Sequence, residues 1–200
     1  NRATSAKRQS GSIFKTFIYL AAIESGYTRN NKIDDSILNI NGWIPKNGNN
    51  KYLGLITLKE AFAKSSNVAA VRLSEEIGRK QVIKEARRLG VISFIPNEPS
   101  IALGTASLNL LELTGAFVAI GGSGKPVIPY GIEEVQSRDQ KTNLWKRKEP
   151  NRKPIITKKT LDEMKALLRA VVLEGTAKKL KNNPINIIGK TGTSQKNRDA

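Results

Sequence analysis

Between Gly11 and Ile23 the chain carries a single charged side chain. Ile13, Phe14, Phe17, Ile18, Tyr19, Leu20, Ala21, Ala22 and Ile23 cover almost every face of a helix read over residues 12–25, and Gly26 follows as its C-cap. A helix that is apolar nearly all round belongs inside a protein core. The exception is Lys15. Burying an ammonium without a partner is costly, and loss of its proton is the usual escape.

Three residues earlier stands Ser12, and an i, i+3 pair shares one helix face. The composition sharpens what that pair can do. The 200 residues contain no His and no Cys, which removes a Ser-His-Asp triad, a thiol nucleophile, a His or Cys zinc site and disulfides. A base for attack on a carbonyl must then be Lys, a carboxylate or Tyr. A desolvated neutral lysine can take the proton of a serine hydroxyl, while the positive end of the helix disfavours the ammonium and stabilises the forming alkoxide. The bland reading is a helix-capping serine beside a lysine that snorkels to the surface, and a chain this rich in lysine shows S-x-x-K about once by chance.

Two further elements fit the same chemistry. Ser65-Ser66-Asn67 lies between two helical patterns, where a loop can present Ser65 as a proton relay and Asn67 as a contact for a substrate amide. Ser107-Leu108-Asn109 has the same pattern, but Asn109 pairs with Glu112 as a helix cap. Lys190-Thr191-Gly192-Thr193 ends the apolar run 185–188. In a strand edge, Lys190 supplies positive charge, Thr191 and Thr193 offer hydroxyls to a carboxylate, and Gly192 allows close approach. The Thr193 NH and the Ser12 NH would together form an oxyanion hole. A phosphate-binding loop is excluded, because Pro184 stands where G-x-x-x-x-G-K-T needs its first glycine.

The rest of the chain reads as mostly helical. Thr57 and Glu60 form a capping box opening a helix to about Lys64; others run from Val68 to Gly78, from Lys80 to Gly90 and from Asn109 to Gly121-Gly122. Thr160 with Glu163 opens a last one, carrying Leu161, Met164, Leu167, Leu168 and Val171. Residues 130–135 and 142–148, turning at Arg138-Asp139-Gln140, read as a hairpin, and 185–193 as a strand after Pro184. The polar stretch 27–56 reads as a surface excursion. The result is one α/β or α+β domain with too few strands for a full sheet. The net charge of +17 favours anionic partners without bearing on the fold.

With S-x-x-K, S-x-N and K-T-G in this order, the sequence resembles the transpeptidase domain of class A penicillin-binding proteins. The likeness extends to Asn1-Arg2-Ala3-Thr4, Arg8-Gln9, Gly11 to Lys15, Ala102-Leu103-Gly104, Gly121-Gly122, Pro129-Tyr130, Glu174-Gly175-Thr176-Ala177, Gly189 to Ser194 and Arg198-Asp199-Ala200. The resemblance implies a beta-lactamase/transpeptidase-like fold: an antiparallel sheet flanked by helices, plus a mostly helical region, with residues 1–200 part of one transpeptidase domain whose sheet continues past both ends. It implies Ser12 as nucleophile, Lys15 as base, Ser65 as relay, Asn67 as an amide contact, and Lys190, Thr191, Gly192 and Thr193 as the carboxylate site. No cofactor or metal is implied.

The implied substrates are peptidoglycan stem peptides, a D-Ala-D-Ala donor and an amine acceptor, with beta-lactams as donor mimics. The implied setting is the outer face of the cytoplasmic membrane, held there by an upstream anchor, with a glycosyltransferase domain in the same chain. One departure is Thr16, where the family usually has proline. A serine beta-lactamase and a D-Ala-D-Ala carboxypeptidase share these motifs. Glu98-Pro99 opens like a lactamase deacylation loop but lacks its Leu-Asn ending. A nucleic-acid-binding module is the alternative from another class, resting on the basic stretch from Arg138 to Lys159. Only Trp145 among the aromatics interrupts that stretch, so a solvated face accounts for it and no nucleic acid is expected.

Overall fold

A computed structural model describes residues 1–139 and 142–193. Ser194, Arg198, Asp199 and Ala200 of the motifs above, and Gln140 and Lys141 of the hairpin turn, lie outside the described residues. The apolar helix is the centre of the fold. It forms as a 3-10 turn, Gly11–Phe14, running directly into α2, Lys15–Glu24, after a short α1, Arg2–Ser5. Every residue from Lys15 to Ile23 is buried, as its all-round apolar pattern demands.

Around α2 pack α4 (Asn67–Ile77), α5 (Arg79–Arg88) and α7 (Lys158–Leu173), and α3 (Leu58–Ala63) lies against α7. The Tyr19 and Phe62 rings meet at 4.6 Å between centroids, joining α2 to α3. α6 (Leu110–Gly121) completes the helical layer beside α7. Both expected capping boxes are present. Glu60 N donates to Thr57 Oγ1 at 3.1 Å and Thr57 N to Glu60 Oε2 at 2.9 Å. Glu112 N donates to Asn109 Oδ1 at 2.8 Å, and Asn109 N returns a bond to Glu112 Oε2. The other Glu112 oxygen accepts from Ile92 N and Ser93 N, so one buried carboxylate caps α6 and pins the loop after α5.

The last helix starts one turn earlier than expected. Thr157, not Thr160, is the N-cap of α7, and Thr160 N donates to Thr157 Oγ1. Glu163 turns away to Arg29, 3.1 Å from its guanidinium. The cap falls at Thr157 because Ile156, just before it, is buried against the core and fixes the entry of the chain.

Sheet is sparse, as the sequence implies. β1 (Arg8–Gln9) pairs antiparallel with β4 (Ser107–Leu108); β2 (Lys32–Asp34) pairs with β3 (Leu55–Thr57); β5 (Glu134–Gln136) and β6 (Asn143–Lys146) form the expected hairpin, shorter than read. Residues 185–193 are not a strand. Among the described residues no strand pairs with them to form a ladder, and α7 holds their first part through Arg169 Nη1 to Ile187 O at 2.8 Å and Gly189 N to Leu168 O at 3.4 Å. No described helix is long and apolar enough to cross a membrane. The stretch 27–56 is more than a surface excursion, since Ile33, Asp35, Pro45 and Asn47 are buried against the body.

Candidate active site

Ser12 sits in the 3-10 turn at the entrance of α2, and Lys15 is that helix's first residue. Close backbone contacts lock the turn in place. Gly11 has φ +52°, and a Cβ there would fall 2.5 Å from the Thr193 carbonyl oxygen; a Cβ on Gly192 would fall 2.6 Å from Ile13 Cγ1. Only glycine permits this approach. Thus the 190–193 segment lies directly against the Ser12 turn. From the other side, Ser10 N and Gly11 N donate to Ala106 O and Gly104 O, both at 3.1 Å.

Lys15 does not snorkel. It is fully buried, and its Nζ donates to the Ser65 carbonyl oxygen at 2.7 Å and to Asn67 Oδ1 at 2.6 Å, with Ser65 Oγ at 3.3 Å. Burial holds its pKa well below the ordinary lysine value, the nearby charge of Lys190 lowers it further, and Asp35 opposes the shift. Thr16, at the departure from the family pattern, is fully buried, and its hydroxyl has no hydrogen-bond partner among the described residues.

Ser65 occupies an unusual backbone position. Helix α3 ends with Ser66 N donating to Ala61 O and Ser65 N to Phe62 O, the paired bonds of a Schellman motif. That motif places its first residue past the cap in the left-handed region, where glycine is usual; here it is Ser65, at φ +57°. The next residue, Ser66 rather than Ser65, is the N-cap of α4, accepting from Ala69 N at 3.0 Å. Ser65 is therefore not spent on capping. The competing S-x-N at 107–109 is: Asn109 caps α6.

Lys190 reaches the same hydroxyl from the far side. Its Nζ donates to Ser65 Oγ at 2.8 Å and to Thr191 O at 3.0 Å, and burial lowers its pKa to about 8. Thr191 Oγ1 lies 2.6 Å from Thr176 Oγ1. Thr176 is held in turn by its own N–H on Ala63 O at 3.1 Å and by Gly175, where a Cβ would come 2.2 Å from that same oxygen. Ser12, Ser65, Asn67, Thr176, Thr191 and Thr193, with Gly192, line one cleft of about 990 Å³. Glu98, which opens the lactamase-like dipeptide, is exposed at the start of the Pro99–Leu103 turn.

The sequence-predicted residues thus converge from three distant segments. Missing from that set are Thr176, Asp35 and Asn47. Thr176 had a signal in the Glu174-Gly175-Thr176-Ala177 match. Asp35 and Asn47 fall in a stretch whose polar composition disguised their burial, at 0 % and 6 % exposure. Among the described residues no group of three or more metal-ligating side chains occurs.

The model of the penicillin-binding protein transpeptidase domain matches residues 1–200. Penicillin-binding protein 1A of Aquifex aeolicus is 34 % identical over 206 residues, covering 100 % of this chain and 28 % of that protein. The chain therefore spans little more than a quarter of that relative's length. The crystal structure of penicillin-binding protein 1A from Haemophilus influenzae superposes with a TM-score of 0.87 at 25 % identity, over 98 % of this chain and 36 % of that one. PonA1 from Mycobacterium tuberculosis in complex with penicillin V superposes with a TM-score of 0.75 at 23 % identity, over 84 % and 48 %. The motifs, the cleft they line and these likenesses lead to one assignment: this chain belongs to the penicillin-binding protein transpeptidase domain family.

Proposed function

We propose that the chain is the catalytic part of a D,D-transpeptidase that cross-links peptidoglycan stem peptides through an acyl-enzyme on Ser12. The observation that carries this reading is the bonding of Lys15. In its neutral form the amine has two N–H bonds, and the Ser65 carbonyl and Asn67 Oδ1 stand ready to accept both. The lone pair is then free to take the proton of a serine hydroxyl. Ser12 Oγ attacks the penultimate D-alanine carbonyl, and backbone N–H groups of Ser12 and Thr193 hold the oxyanion. Ser65, bonded to Lys190, passes a proton to the departing D-alanine amine.

An amine of a neighbouring stem peptide then attacks the ester and regenerates Ser12. Lys190, Thr191 and Thr193 hold the donor's terminal carboxylate, and Gly192 leaves room for its backbone. Asn67 contacts a substrate amide. A beta-lactam enters as a donor mimic whose leaving group stays tethered; the penicillin V complex of the M. tuberculosis relative supports this extension. The setting that goes with the reading is the outer face of the cytoplasmic membrane, with an anchor and a glycosyltransferase domain in the same polypeptide.

The test is intact mass after exposure to benzylpenicillin. A stable adduct equal to the drug's mass, lost in Ser12→Ala, supports the transpeptidase. Rapid turnover of the drug points to a lactamase, and no adduct on the wild-type protein sinks the assignment.

A further inference from the structure

We propose that Asp35, acting through Asn47 and Ser66, is a positioning residue of this site, fixing from a buried place the Ser65–Asn67 turn that holds Lys15. The proposal rests on the acyl-transfer reading above and concerns how its base is held.

Asp35 is fully buried at the end of β2, and among the described residues no cation forms an ion pair with it. Its carboxylate instead gathers neutral donors. Asn47 Nδ2 lies 3.0 Å from both oxygens, Leu53 N donates to Oδ2 at 3.1 Å, and Ser66 Oγ donates to Oδ1. A buried carboxylate bonded only to neutral groups is an expensive way to hold two loops together, since amides of similar shape would avoid the desolvation. What the charge does elsewhere decides the question.

Both partners of Asp35 act on the first turn of α4. Asn47 Oδ1 accepts from Asn67 N at 2.8 Å and Val68 N at 3.2 Å, and Ser66 Oγ accepts from Ala69 N at 3.0 Å. Three successive orphan amides of the helix are therefore answered by side chains that Asp35 holds. Asn67 is the first residue of that turn. Its Oδ1 accepts from Lys15, and its Nδ2 donates to Lys46 O at 2.8 Å, one residue before Asn47. The chain of bonds runs Asp35, Asn47, Asn67, Lys15 on one branch and Asp35, Ser66, then the adjoining Ser65 carbonyl, on the other. Both acceptors of the Lys15 amine hang from it.

The charge has a second effect. Asp35 favours the protonated amine, while Lys190 on the 190–193 segment disfavours it. Lys51, Lys64 and Glu174, the other charged groups on the cleft wall, line its solvent side. Removing the Asp35 charge would leave Lys15 easier to deprotonate, whereas removing only the hydrogen-bond link would not.

The experiment is the second-order rate of acylation by a chromogenic penicillin, measured against pH in the full chain, for wild type, Asp35→Asn and Asn47→Ala, with melting temperature recorded for each. Both variants are expected to acylate more slowly, by up to about 100-fold, the loss that a misplacement of about 1 Å can cause. The acid limb of the profile should move to lower pH in Asp35→Asn and stay in place in Asn47→Ala. Should Asp35→Asn not fold, Asn47→Ala alone carries the rate test. Acylation of the folded variants within about twofold of wild type overturns the proposal, as does a slow Asp35→Asn whose acid limb has not moved. A wild-type protein that takes no label at all fails the functional reading itself, an outcome separate from these.

Discussion

Lys190 Nζ donates to Ser65 Oγ at 2.8 Å, joining residues 125 apart in the chain. The bond sets two amines on one hydroxyl, since Lys15 Nζ stands 3.3 Å from the same oxygen. Two ammonium groups so close repel each other, and burial already disfavours both.

A pH profile with two limbs follows. Acylation needs Lys15 neutral and Lys190 charged, so the rate should rise with pH through the depressed Lys15 value and fall as Lys190 loses its proton near pH 8. In Lys190→Met the upper limb should vanish. The lower limb should move to higher pH, because the charge that helped to deprotonate Lys15 is gone. Stopped-flow acylation across pH reads both limbs.

Ser65 separates strain from chemistry. Ser65→Gly places the usual residue at φ +57° and should keep or raise stability by up to about 1 kcal/mol. Its acylation should nevertheless fall by about 100-fold or more through loss of the relay hydroxyl. Ser65→Ala should lose the same activity without the gain in stability. A Ser65→Gly protein with wild-type acylation would remove the relay role.

Gly11→Ala puts a methyl group on the Thr193 carbonyl at a backbone angle that disfavours side chains. It should cost about 1–3 kcal/mol in stability and push the 190–193 segment off the Ser12 turn. Acylation should drop even in the fraction that remains folded, measured by thermal melting alongside the rate.

Glu112→Ala tests the scaffold apart from the site. It removes the return bond of the α6 capping box and strands Ile92 N and Ser93 N, so denaturation should show a loss of about 2–3 kcal/mol. The acylation rate of the folded protein should be unchanged.

Much of this architecture is legible locally. Lys15 stands out because a charge inside an apolar helix conflicts with its neighbours, and that conflict is visible in a few residues. Thr57 with Glu60 and Asn109 with Glu112 declare their helices at a spacing of three. The α7 cap is ambiguous in the sequence because Thr157 and Thr160 stand one turn apart, and the choice rests on Ile156 reaching the core, which is a tertiary matter. The strand expected over 185–193 fails for a related reason: pairing depends on what lies alongside, and the apolar run 185–188 does not specify that. Asp35 and Asn47 stayed hidden because polar residues aimed inward look the same in sequence as polar residues aimed at water.

The depressed value of Lys190 couples folding to the solvent. An unfolded chain holds a proton on this amine up to about pH 10.5, whereas the folded one releases it near pH 8. Between those values this amine gives up its proton each time the chain folds, as the buried Lys15 amine also does. Its calorimetric enthalpy there must depend on the ionisation heat of the buffer, and mild alkalinity, by relieving the burial of this charge, should add to the stability of the folded state.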